Sequence, residues 1–132
     1  MDVQFETPFG FKLEVLEADD HVPSLRASVR IVIEQFQHKC QYEGAFWIEC
    51  AVWDRFLQAL HQPTKESTSL HDMSENFLLS IRQTEQGLSL EWRFVKTDAG
   101  GKCQMTANFI AFIDEDALAS IRRVFEEFPA WW

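Results

Sequence analysis

The sequence predicts an α+β fold: a twisted, mainly antiparallel sheet of about six strands, with one helix after the third strand and one C-terminal helix. Three observations carry this expectation. Apolar residues recur at every second position over most of the chain, the period of a half-buried strand. The period changes to that of a helix face over residues 52–60 and again over residues 118–128. Turn residues separate the later strand patterns at short intervals, which favours hairpin-connected neighbours.

Phe9, Phe11, Leu13 and Val15 share one face of a first strand, with Gly10, Lys12 and Glu14 on the other. An acidic turn from Glu17 through Asp19 and Asp20 to His21, followed by Pro23, ends it. Leu25, Ala27, Val29, Ile31 and Ile33 then form the inward face of a second strand, opposite Arg26, Ser28, Arg30 and Glu34. After Glu34-Gln35 the inward set becomes Phe36, His38, Cys40 and Tyr42. A slip of one residue turns every following side chain to the other face, so it requires a tight turn or a bulge. We read a turn at Glu34-Gln35, although no Gly or Pro marks it. Gly44 interrupts the third strand before Phe46, Trp47 and Ile48.

Val52, Trp53, Phe56, Leu57 and Leu60 fall on one helical face, with Asp54, Arg55 and Gln58 opposite, and Pro63 bounds the helix. Residues 62–69 have loop composition. Phe77, Leu79 and Ile81, then Leu88, Leu90, Trp92 and Phe94, then Cys103, Met105, Ala107, Phe109 and Ala111 mark the inward faces of three further strands in a meander. Turns at Glu85-Gln86-Gly87 and Asp98-Ala99-Gly100-Gly101 join them. Asp114 is placed to cap the last helix, and Glu115 and Asp116 complement the positive end of its dipole. Its buried stripe is Leu118, Ile121, Val124 or Phe125, and Phe128, and Pro129 ends it. Trp131 and Trp132 are expected to fold back and seal the core rather than to serve as an exposed anchor. Residues 1–132 read as one domain without an internal repeat.

The 46% apolar content, with twelve Phe and five Trp, is ample for a core and too high for a disordered tail. Cys40, Cys50 and Cys103 are odd in number and embedded in apolar patterns, so we expect buried reduced thiols, and no metal site. No signal peptide or span-length apolar run is visible, which gives a cytoplasmic expectation. The net charge of −9 is divided unevenly: −5 over residues 1–24, −1 over residues 25–113 and −3 over the remainder. Such a field repels nucleic acid and anionic membrane and draws in basic surfaces. The expected partner is therefore a protein, bound by a monomer or weak homodimer. The candidate partner-binding residues are Glu17, Asp19, Asp20, Glu115, Asp116, Glu126 and Glu127.

No catalytic residue or cofactor motif emerges. His38 reads as a core imidazole, His61 as a helix-end histidine, and His21 as part of the acidic turn. His71-Asp72 with Glu75 is the most enzyme-like cluster, but sequence neighbours on a strand point to opposite faces. A pocket between the sheet and the first helix, near Trp47, Trp53, Trp92 and His38, would suit a small ligand and is the alternative reading.

The Phe9-Gly10-Phe11-Lys12-Leu13 start, the strand over residues 25–33, and the segment 47–60 containing Trp53-Asp54-Arg55-Phe56-Leu57-Gln58-Ala59-Leu60 form an ordered set of signals. Together with Phe77-Leu79-Ile81 and the closing Phe128-Pro129, this order resembles the WapI-type bacterial immunity proteins and their uncharacterised relatives. The resemblance spans nearly the whole chain and lies in pattern and element order. It implies a bacterial cytoplasmic protein that binds and neutralises a toxin domain, without catalytic residues or a cofactor.

Overall fold

The computed structural model describes residues 2–132. Its elements are β1 (Asp2–Phe5), β2 (Gly10–Asp19), β3 (Ser24–Gln35), β4 (His38–Glu49), α1 (Cys50–His61), β5 (Thr68–His71), β6 (Phe77–Thr84), β7 (Gly87–Thr97), β8 (Gln104–Ile113) and α2 (Glu115–Glu126). The class is α+β. The sheet is not single: β1-β2-β3-β4 and β5-β6-β7-β8 are separate four-stranded antiparallel meanders, each followed by a helix. The order of elements thus repeats once along the chain, although no sequence repeat announces it. Two short strands explain the difference from expectation. β1 buries only Val3 and Phe5, and β5 only Leu70, too few apolar positions for alternation to register. Once β1 is counted, α1 follows the fourth strand rather than the third.

The β3–β4 turn lies one to two residues beyond Glu34-Gln35. Gln35 pairs with His38, and the intervening Phe36 and Gln37 have φ of 55° and 65°. Positive φ at both central residues gives the turn twist that two-residue hairpins favour, and here it is adopted without glycine. Phe36 is 87% exposed, so it is not part of an inward face. His38 and Cys40 have the expected parity but are also exposed, although Ile33, which pairs with Cys40, is buried. Tyr42, Phe46 and Ile48 continue that parity into the core. Cys103, expected in the strand, precedes β8 and is exposed, as is Met105 near the strand's start, while Ala107, Phe109 and Ala111 are half-buried. Only Cys50 is the buried thiol that composition suggested for all three.

The inner faces of both sheets, α1 and α2 share one core. Phe125 of α2 sits at its centre, with ring centroids 6.2 Å from Phe11, 5.2 Å from Trp53 and 5.3 Å from Phe56. Aromatic contacts also tie sheet to sheet: Phe46 to Phe77 at 4.7 Å, Tyr42 to Phe94 at 4.8 Å and Phe9 to Phe109 at 5.8 Å. Full burial of each such side chain is worth about 1.5–3 kcal/mol.

Asp114 caps α2 by accepting a 2.8 Å hydrogen bond from the Ala117 N–H, and the helix buries Leu118, Ile121 and Phe125. At the start of α1 no side chain caps. The Cys50 N–H instead donates to the Pro23 carbonyl at 2.8 Å, tying the helix to the β2–β3 turn. Trp132 folds back onto α1, where its Nε1–H donates to Asp54 Oδ1 at 2.9 Å, whereas Trp131 remains 48% exposed. Among the described residues, no helix is long and apolar enough to cross a membrane.

Candidate functional site

A bulge in β2 builds the most distinctive surface. Val15 pairs with Ala27, but Glu17 pairs with Arg26, so Leu16 is an extra residue in β2. Uninterrupted alternation would send Glu17 and Asp19 inward with Phe11, Leu13 and Val15. The bulge turns them instead to the outer face. Across the sheet, Arg26 pairs in turn with Trp47, and Asp19 and Glu49 both pair with Ser24. Glu17, Arg26 and Trp47 thus form one row, and Asp19, Ser24 and Glu49 the next.

Glu17, Asp19, Asp20, His21 and Trp47 line one shallow depression of about 520 Å³. Asp19 Oδ1 accepts the His21 N–H at 2.8 Å and fixes the turn. Arg26 Nη1 lies 3.8 Å from Glu17 Oε2, an exposed pair that leaves the corner net acidic. Glu17 and Asp19 therefore belong to a strand, not to the turn expected there. The only sequence trace of this is the Val15-Leu16 apolar doublet that ends the clean alternation.

The acids of α2 lie elsewhere. Asp116 borders a different depression of about 530 Å³, with Asp114, Arg123 and the Glu6-Thr7-Pro8 loop. That loop precedes Gly10 at the start of β2, whereas Asp19 ends the strand, a run of ten residues that spans somewhat less than about 30 Å because of the bulge. Glu126 pairs with His61 of α1, and Glu115 and Glu127 are exposed. The structure thus gathers Glu17, Asp19 and Asp20 and leaves the other four candidates distributed along α2.

The His71-Asp72-Glu75 cluster does not form an oriented acid–base pair. His71 Nδ1 is 2.8 Å from Ser69 Oγ, and its Nε2 is 4.0 Å from Glu75. The buried Asp72 carboxylate instead accepts the N–H groups of Asn76 and Phe77 at 2.8 and 3.0 Å through one oxygen. Its role is to shape the turn at residues 72–76. The Met73 N–H of that turn donates to the Trp47 carbonyl at 2.9 Å and lays the turn along the edge of β4.

Beside this turn opens a cleft of about 710 Å³ lined by Tyr42, Phe46, Trp47, Met73, Phe94 and Met105, among others. Trp47 borders both the cleft and the acidic corner. The expected pocket against α1 is corrected accordingly: Trp53 and Trp92 are each 1% exposed within the core, and His38 stands at a hairpin tip. Of that set, only Trp47 reaches the cleft.

Tyr42 forms the floor of the aromatic cluster, and burial, followed by the charge of Asp72, raises its phenol pKa from 10.0 to about 12. A phenol raised in the folded state stabilises folding while neutral. That contribution is complete below pH 10 and is lost as pH rises through about 12. Tyr42 is the only tyrosine, so the near-ultraviolet phenolate absorbance of the folded protein is expected to titrate as one step near pH 12. A step at pH 10 in folded protein would contradict this environment.

Gly44 provides the space for the same side chain. A Cβ at this position would lie 2.4 Å from the Tyr42 hydroxyl oxygen and 2.9 Å from Cζ. Gly44→Ala is expected to cost about 1–3 kcal/mol in urea unfolding. Adding Tyr42→Phe should recover part of that loss, and additivity of the two substitutions would contradict the clash.

Burial, then the charges of Asp54 and Asp20, hold the Cys50 thiol above its usual range, an environment that disfavours the reactive thiolate. Among the described residues, no three His, Cys, Asp or Glu side chains are grouped as metal ligands. Comparison with known proteins finds no matching family model, no matching curated protein and no matching solved structure.

Proposed function

We propose that this chain is a stoichiometric protein inhibitor of the immunity class, which holds a basic bacterial toxin domain in the cytoplasm against its acidic corner. The observation that carries this reading is the β2 bulge, which turns Glu17 and Asp19 to the face bearing Trp47. Carboxylates around the half-buried Trp47 suit Arg and Lys: the acids attract the cation, and the indole receives its flat or aliphatic surface. The α2 acids Glu115, Asp116, Glu126 and Glu127 add to the field that accelerates encounter. Co-expression with the toxin domain encoded beside it tests this reading. Survival with a co-purifying 1:1 complex is expected. Death of cells that contain folded inhibitor and active toxin would sink the proposal.

A second reading rests on the aromatic cleft of about 710 Å³ between β4 and the second sheet, a size suited to a small apolar ligand. A compound bound there only by the native state raises the melting temperature with concentration. Trp47→Ala should abolish that shift if the cleft is the site.

A further inference from the structure

We propose that β8 is a self-association edge, and that two copies of this chain pair antiparallel along it to form one eight-stranded sheet. The four sheet edges differ in how they are protected. β1 and β5 have only four residues each. β4 carries Lys39, Glu43 and Glu49, and part of its edge is occupied by the 72–76 turn. β8 has none of these features. It has ten residues, runs in unbroken register from Gln104 opposite Thr97 to Ile113 opposite Leu88, and contains no proline. Residues 103–113 are also the longest stretch of the chain without Asp, Glu, Lys or Arg. A long, uncharged, unbulged edge offers its free N–H and C=O groups to another strand.

The side chains select a second copy and its direction. Ile110 and Phe112, 54% and 60% exposed, stand on the β8 face turned away from the core, beside the free edge. The rest of the chain is strongly acidic, so two copies approach at least cost through a strip without charge. The flanks of this strip are opposite in sign. Lys96 and Lys102 stand at its beginning, with Asp98 holding the Cys103 N–H in the same hairpin, and Asp114, Glu115 and Asp116 follow its end. Antiparallel two-fold pairing brings the basic end of each copy to the acidic end of the other, twice, whereas parallel pairing stacks like charges. A register centred on Phe109 overlaps the whole strand. It brings the Lys102 end of each copy to the start of α2 at Asp114, Glu115 and Asp116 of the other, and brings the two Ile110 side chains together diagonally.

Sedimentation of purified protein over a concentration series tests the proposal. The wild type is expected to reach twice the 15.4 kDa chain mass as concentration rises. Ile110→Lys with Phe112→Lys should remain monomeric and folded, with the melting temperature that the wild type shows at dilutions where it too is monomeric, since both side chains are exposed. Lys102→Glu should weaken the dimer about tenfold, and Asp116→Lys added to it should restore association. A monomeric wild type at every concentration, open-ended aggregates in place of a dimer, or a dimer indifferent to Ile110→Lys with Phe112→Lys would overturn the proposal. Failure of the charge exchange to restore pairing would overturn the antiparallel register.

Discussion

Phe125→Ala is expected to lower folding stability by about 3–5 kcal/mol, a large share of the roughly 5–15 kcal/mol available to a domain. The ring is 1% exposed and joins three elements at once: Phe11 of β2, and Trp53 and Phe56 of α1, all touch it from α2. The aromatic walls around it belong to different backbone segments, so they cannot collapse together into the space left behind. The loss therefore includes both transfer energy and a residual cavity. Urea unfolding at constant slope should show the midpoint shift. Phe112→Ala, at a position 60% exposed, should stay within about 0.5 kcal/mol of wild type when both are measured as monomers. A loss below about 1 kcal/mol for Phe125→Ala would show that the core is not organised around this ring.

The second large effect concerns recognition. Reversing Glu17, Asp19 and Asp20 to Lys changes the charge of one corner by six units without disturbing a buried group, since all three are exposed. Affinity for a basic domain is expected to fall on the order of 100-fold at low salt, chiefly through slower association. The difference should shrink as the screening length approaches about 8 Å at physiological ionic strength. Trp47→Ala should act differently, by faster dissociation, because it removes an aromatic anchor and leaves the field intact. Glu126→Lys with Glu127→Lys should reduce the association rate only modestly, because these positions lie away from the corner.

Much of the fold was legible from local pattern. Alternation located β3, β6, β7 and the inward parity of β4 and β8, and the change of period located α1 and α2, with Asp114 as the cap of α2. The failures have a common physical basis. β1 and β5 bury one or two residues each, and their strand state comes from pairing with a longer neighbour rather than from their own pattern. The division into two sheets is a tertiary outcome, and local periodicity carries no sign of it. His38, Cys40 and Met105 have inward parity yet are exposed, because parity states which face a side chain takes and not whether another layer covers it, and Phe36 falls in the turn itself, where parity does not apply. The candidate site was half legible. The acids were evident, but the bulge at Leu16 that gathers them beside Trp47 appears only in the pairing register.

The most direct test of the account is titration of the cognate basic domain into wild-type protein and into the Glu17→Lys, Asp19→Lys, Asp20→Lys variant, at low and high salt. Tight 1:1 binding by the wild type and a large salt-dependent loss in the variant are expected, with both proteins folded at the assay temperature. Equal affinity and association rate for the two proteins at low salt would contradict the claim that this corner is the binding surface.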